Sequence, residues 1–221
     1  MTDAPAVSAG QQALRAREAE ALAAVSGAQL LEYTRQIARW VRLSGSPDER
    51  RAFAYVEGVL RGLGLHTRLM EHDAFISLPG PARLRITSPV REALPCITHA
   101  FAAPTGPGGI RGELVYVGQG SAHDYARVDV RGKIALVEGL GIGGKVRRGE
   151  EHGAVAQVFI RGEHTHETSV SPLWGPPTPE TAHLLPRTPS FSVNRAAGAR
   201  LKALLAQGPV RVRAWAEVKT G

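Results

Sequence analysis

The sequence predicts an α+β fold in which N-terminal helices and short strands precede a small β-rich module. Three observations carry that expectation. Apolar residues recur at three- and four-residue steps across residues 29–63. Short β-branched runs bounded by glycine replace them between residues 113 and 160. From Val210 to Val218 apolar and polar residues then alternate with a period of two.

Residues 1–27 are rich in Ala, Glu, Arg and Gln and read as a flexible or helical tail. Leu30, Tyr33, Ile37, Trp40 and Val41 fall on one helical face, which Ser44-Gly45 interrupts. The next helix has a start signal: Ser46 to cap, Pro47 at the first helical position and Glu49 three residues after the cap. Phe53, Val56, Leu60 and Leu63 form its apolar stripe, and Gly64 suits the left-handed end. Leu65 to Met70 alternates and predicts a strand, with a second short one around Leu84 and Ile86. Pro104 to Gly109 is a turn or linker.

Glu113–Val117, Lys133–Val137 and Val155–Ile160 are strand candidates, with a short exposed helix expected over 144–152. Phe191 and Val193 mark a further strand. Asn194 caps a helix carrying Leu201, Leu204 and Leu205, closed by Gly208. The final alternating strand puts Val210, Val212, Ala214, Ala216 and Val218 on one face. Trp215 lies on the other face with Arg211, Arg213 and Glu217. That strand is expected to lack sheet neighbours and to leave an apolar edge open to self-association.

The chain has 221 residues, 43% hydrophobic and 21% charged, enough apolar content for a sizeable core. No stretch is long and apolar enough to span a membrane, and the first ten residues lack a basic-then-apolar leader. The expectation is a cytoplasmic protein without a membrane partner. Arginine dominates the net charge of +7, with 23 Arg against 4 Lys. These cations are scattered and no helix, finger or RNP pattern organises them, so nucleic acid is not an expected partner. A single cysteine, Cys96, precludes an internal disulfide and a Cys-based zinc site.

Candidate chemistry is sparse. His164, His166 and Glu167 lie close together, and an extended backbone would point the two imidazoles the same way. No third ligand stands at a motif spacing, and a polar exposed loop is the favoured reading. Cys96 has no basic neighbour in sequence to make it a thiolate. The glycines from Gly139 to Gly144, followed by Lys145-Val146, fit neither a dinucleotide fingerprint nor a P-loop. A turn that lets backbone pass close to its neighbours is favoured there. Asp124 and Asp129 flank Tyr125 and could bind a cation, and a surface turn fits as well. Trp174, between Pro172 and the Gly175-Pro176-Pro177 run, is held in an irregular loop; it could anchor a ligand or fold back over the core.

Two blocks resemble a known arrangement. Ser44-Gly45-Ser46-Pro47-Asp48-Glu49-Arg50-Arg51, with Tyr55-Val56 and Leu60-Arg61-Gly62-Leu63-Gly64-Leu65, resembles the start of M28-family zinc aminopeptidases. Gly112 to Gly118, Asp129 to Val137, Lys145, Gly153-Ala154, Pro189 to Val193 and Gly198 to Leu201 resemble the protease-associated (PA) domain. The loop Ser171 to Thr178 is similar to one in the PA regions of such peptidases.

The resemblance covers residues 30–218. It implies an incomplete peptidase-type α/β domain followed by a PA-like swivelling β/β/α domain. The implied boundaries are 28–87 for the peptidase segment, 88–208 for the PA-like domain and 209–221 for a strand returning toward the catalytic domain. It also implies two zinc ions in a complete family member, held by His, Asp and Glu, with a glutamate as general base. Those motifs follow the segment matching Val210–Val218, so no catalytic, cofactor-binding or metal-ligating residue can be assigned here. The expected function is that of the N-terminal and PA portion of an M28-like metallopeptidase, truncated and inactive by itself. The implied partners are a peptide substrate or the missing catalytic domain, with Trp174 and His166 as candidate contacts. The alternative is a non-catalytic PA-type module that binds protein or peptide.

Overall fold

The computed structural model describes residues 8–221, in two compact units that meet in sequence at Met70 and Glu71. No helix among the described residues is long and apolar enough to cross a membrane.

The first unit is helical: α1 (Ala9–Ala23), α2 (Gly27–Ala38) and α3 (Pro47–Gly62). Each begins on a serine whose hydroxyl accepts a hydrogen bond from the backbone N–H three residues on, at Gln11, Gln29 and Glu49. These caps satisfy amides that the first helical turn leaves without partners. At α3 the Glu49 carboxylate reaches back to the Gly45 amide at 2.7 Å, one residue earlier than an ideal capping box requires. Trp40 and Tyr55 pack with tilted rings 6.2 Å apart. Gly64 ends the helical region at φ +78°, as its position predicts. The strand expected from Leu65 to Met70 does not form. Alternation alone cannot make a strand, because the extended backbone needs a neighbour to pair with its amides and carbonyls.

The second unit is built on one eight-stranded sheet. Its strands are β1 (Ser77–Ser88), β2 (Glu92–Leu94), β3 (Ile97–Thr98), β4 (Ile110–Gly118), β5 (Ile134–Glu138), β6 (Ala156–Ile160), β7 (Ser190–Val193) and β8 (Val210–Thr220). The spatial order is β2-β1-β8-β4-β5-β6-β7-β3. β4, β5, β6 and β7 are successive parallel neighbours, flanked by antiparallel pairs on both sides. Three short helices belong to this unit: α4 (Ala122–Tyr125), α5 (Gly143–Glu151) and α6 (Arg195–Leu205).

Apolar cover on both faces explains why β5 and β6 read as continuous apolar runs. On one face Leu201 and Leu204 of α6 pack with Leu114, Leu136, Val158, Phe191 and Val212. On the other, Val146 of α5 joins Tyr125, Val130, Val137, Phe159 and Val170. α5 was expected to be exposed; instead it buries Val146 and Gly149. Gly149 is required by close approach, since a Cβ there would lie 2.5 Å from Cδ of buried Gln157. The Gln157 amide in turn donates to the Val146 carbonyl at 2.7 Å.

The final strand corrects a third expectation. β8 pairs with β1 on one side and β4 on the other, so its backbone presents no open edge. Val210, Val212, Ala214 and Ala216 are buried, and the guanidiniums of Arg83 and Arg213 lie against the ring of half-buried Trp215. Self-association through that edge loses its structural basis.

Candidate functional site

Parallel sheets offer ligands a crevice beyond the carboxyl ends of their strands, where successive connections diverge to opposite faces. Here β5 leads into α5 on one face, while β7 leads into α6 on the other. A cleft of about 370 Å³ opens at the carboxyl ends of β4, β5 and β6, lined by Gln119 after β4, Glu138-Gly139 at the end of β5 and Ile160-Arg161-Gly162 at the end of β6. Arg195, Ala199 and Lys202 of α6 complete it.

Glu138 is the cleft's acidic group and is already engaged. Its Oε1 accepts from Lys202 Nζ at 2.6 Å and from the Tyr116 hydroxyl at 3.0 Å. Its backbone carbonyl accepts from Lys145 Nζ at 2.8 Å. Burial pushes the Glu138 carboxyl pKa up, but the hydrogen bonds from Lys202 and Tyr116 outweigh it and hold the group below its ordinary range. The hydrogen bond to Glu138 correspondingly raises the pKa of Lys202. With Lys202 matched to Glu138, Arg161 and Arg195 remain as cations without a carboxylate from the cleft wall.

Arg161 is the more constrained of the two. One terminal nitrogen donates to His166 Nε2 at 2.7 Å, while its Nε is buried with no partner. A buried unpaired donor is unfavourable unless a ligand or water completes it. The segment carrying Arg161 and His166 is pinned from beneath by His99. The buried His99 ring accepts at Nδ1 from the Thr168 amide at 3.3 Å and meets Ser192 Oγ at 2.7 Å through Nε2. Burial first, and then the charges of Arg161 and His166, lower the His99 pKa to about 4. His99 is therefore a neutral structural bridge and no proton carrier.

The residues singled out in the sequence fall in different settings. His166 touches Arg161 at the cleft, and His164 is exposed. Trp174 is fully exposed and does not fold over the core. Its loop is held by the Ser171 hydroxyl, which accepts from the Leu173 amide at 3.1 Å. Cys96 is a half-buried thiol whose pKa desolvation pushes up to about 12, which leaves it inert as a nucleophile. The Gly139–Gly144 turn is a close-approach device: Cβ atoms at Gly141 and Gly143 would meet Phe159 at 2.7 Å and the Ser171 carbonyl at 2.6 Å. Asp124 caps α4 through Ser121, and Asp129 accepts from the Arg131 amide.

Glu138, Arg161, Arg195 and Lys202 were not singled out. One signal was available, since two of them stand at the polar ends of apolar runs followed by glycine: Val137-Glu138-Gly139 and Ile160-Arg161-Gly162.

Residues 110–201 match the family model of the PA domain. Solved structures share the architecture. The aminopeptidase from Aneurinibacillus sp. strain AM-1 superposes with a TM-score of 0.61 at 23% identity, over 86% of this chain and 44% of its own. The peptidase M28 precursor of Shewanella amazonensis SB2B gives 0.60 at 15% identity, over 86% and 47%. A zinc aminopeptidase from Bacillus subtilis gives 0.52 at 19%, over 80% and 39%. The fold is that of an M28-type aminopeptidase carrying a PA domain. Among curated proteins, the probable glutamate carboxypeptidase VP8 of Zea mays is 33% identical over 163 residues, 63% of this chain. The chain spans 22% of that relative's length and less than half of the solved neighbours.

Zinc does not fit the side chains present: among the described residues no three His, Cys, Asp or Glu groups converge to hold a metal ion. The cleft presents the guanidiniums of Arg161 and Arg195, groups whose planar donors suit an anion.

Proposed function

We propose that this chain is the N-terminal and PA-domain portion of an M28-type metallopeptidase, and that its part in the work is to admit and position peptide substrate. The observation that carries the reading is the cleft at the parallel strand ends, where Arg161 keeps a buried, unpartnered Nε. A carboxylate on a peptide would complete that donor, and the planar guanidinium favours such a group over a neutral one. The name of the maize relative, a probable glutamate carboxypeptidase, agrees with an acidic ligand. Fully exposed Trp174 offers an apolar contact for the same peptide or for the catalytic domain. In this division of labour the hydrolytic chemistry, and the two zinc ions expected of a complete family member, lie outside these 221 residues.

A second reading, a PA-type binding module without chemistry, is favoured by the lack of a converging ligand set among the described residues. Two measurements test these readings. Residues 1–221 should not turn over a chromogenic aminoacyl substrate with added zinc, whereas the longest product of the gene should; turnover by residues 1–221 overturns the division of labour. No turnover by either selects the binding module. Calorimetry with an acetylated Asp-Glu dipeptide should show binding that Arg161→Gln weakens by about tenfold, the size of one charge-assisted contact. Binding unchanged by that substitution removes the cleft from the proposal.

A further inference from the structure

The sheet carries a second polar surface that shares no residue with the cleft. On β1, Arg83 and Arg85 alternate with buried Leu84 and Ile86; on β8, Arg211 and Arg213 alternate with buried Val210, Val212 and Ala214. Register sets these side chains opposite one another. Arg85 faces Arg213 across the β1–β8 pair, and Arg213 faces Arg111 across the β8–β4 pair. Residues directly opposite in an antiparallel pair share a face, so three arginines form one row across three adjacent strands. At a strand spacing of about 4.8 Å that row is about 10 Å long.

Like charges placed opposite one another oppose strand pairing. The acids nearby do not cancel these. Glu113 lies opposite Arg211 but pairs with Lys133 at 3.7 Å, and Glu92 pairs with Arg200 at 3.0 Å. Among the described residues, none of Arg83, Arg85, Arg111, Arg211 and Arg213 has a carboxylate within ion-pair distance. Arg213 is oriented by two hydrogen bonds to the Gly108 carbonyl, at 2.9 and 2.6 Å. Trp215 sits beside the row, with the Arg213 and Arg83 guanidiniums 4.6 and 5.2 Å from its ring centre.

We infer that this face of β1, β8 and β4 is a docking surface for an acidic polypeptide segment. Along β8 two cations, Arg211 and Arg213, stand two residues and about 6.8 Å apart before Trp215 and Glu217 take the next positions on that face, and this spacing matches two same-face side chains of an extended peptide. Carboxylates at alternate positions would meet guanidiniums in bidentate geometry and relieve the repulsion within the row. The Trp215 setting separates this partner from other polyanions. Two guanidiniums already lie against its ring, 4.6 and 5.2 Å from the centre, and compete with a nucleobase for that surface. Being half-buried, it offers no protruding apolar wedge for a bilayer.

The test is fluorescence anisotropy of residues 1–221 with labelled polyglutamate of about ten residues, at about 50 mM and about 200 mM salt. Arg85→Gln with Arg111→Gln leaves Arg213 to hold Gly108 and should weaken binding by about tenfold or more, roughly one decade for two charge-assisted contacts. Arg17→Gln with Arg35→Gln on the helices removes the same net charge and should change binding less than about twofold. Equal weakening in both variants, absence of saturable binding, or tighter binding of oligouridylate or phosphatidylserine vesicles overturns the inference. The single Arg85→Gln variant, expected at about threefold, decides the matter should the double variant fold poorly.

Discussion

The helical unit and the sheet unit solve the problem of order in different ways. In α1 and α2 no residue is buried, and in α3 only Ala52 is. Phe53, Leu63 and Met70 are exposed, yet the three helices start where serine caps and first-turn geometry dictate. The sheet unit inverts this: Ile134, Ala135, Leu136 and Val137 are all completely buried, and so are Val158 and Phe159. Its order comes from area removed from water on both faces and from long-range backbone pairing. Similar apolar residues thus have different energetic weight in the two units.

A paired truncation of phenylalanine measures this most strongly. Phe159→Ala should destabilise the sheet unit by about 3–5 kcal/mol, because the atoms removed leave a cavity beneath α5. Phe53→Ala should change stability by less than about 1 kcal/mol, as expected for an exposed position. Denaturant titration of each variant decides it, and equal losses would erase the contrast.

Acid acts next, and through the sheet unit. His99 has a pKa of about 4 in the fold against 6.5 in an unconstrained chain. The unfolded state therefore takes up a proton first, and stability falls as pH drops from about 6.5 toward 4, by at most about 3 kcal/mol. Above that window the neutral ring contributes its full stabilisation. His99→Gln should flatten the dependence in thermal melts between those pH values. A profile identical to that of the wild type would remove His99 as its source.

The smallest effect has opposite signs in the two units. Gly149→Ala gains helix propensity but drives a methyl into Gln157, so a net loss of about 1–2 kcal/mol is expected. Gly58→Ala in α3 meets nothing within 4 Å and should stabilise by about 0.5–1 kcal/mol. Melting temperatures of both variants report the signs directly.

Legibility in the sequence follows the same division. Ser46-Pro47 and Asn194 mark helix starts because a cap is a bond between residues three apart. The runs at Ile134–Val137 and Ala156–Ile160 reveal strands because both faces are covered. Leu65–Met70 misled, since alternation announces a strand only where another backbone lies alongside. β2 and β3 escaped notice because two or three residues are too few to show a period. At the cleft, His166 was visible as a polar residue, whereas Arg161 and Lys202 looked like any other surface cations. Their meaning depends on strand ends and a helix brought together from residues 119–202.

The amino-acid order alone determined the caps, the apolar periods, the glycine turns and the resemblance to M28 and PA sequences, all of which are expressed over a few neighbouring residues. The tertiary structure alone decided that β8 lies between β1 and β4, that Arg161 keeps a buried free donor, and that Arg85, Arg213 and Arg111 stand in one row. Each of these depends on hydrogen bonds between segments distant in the chain, and no local pattern encodes which distant backbone will become the neighbour.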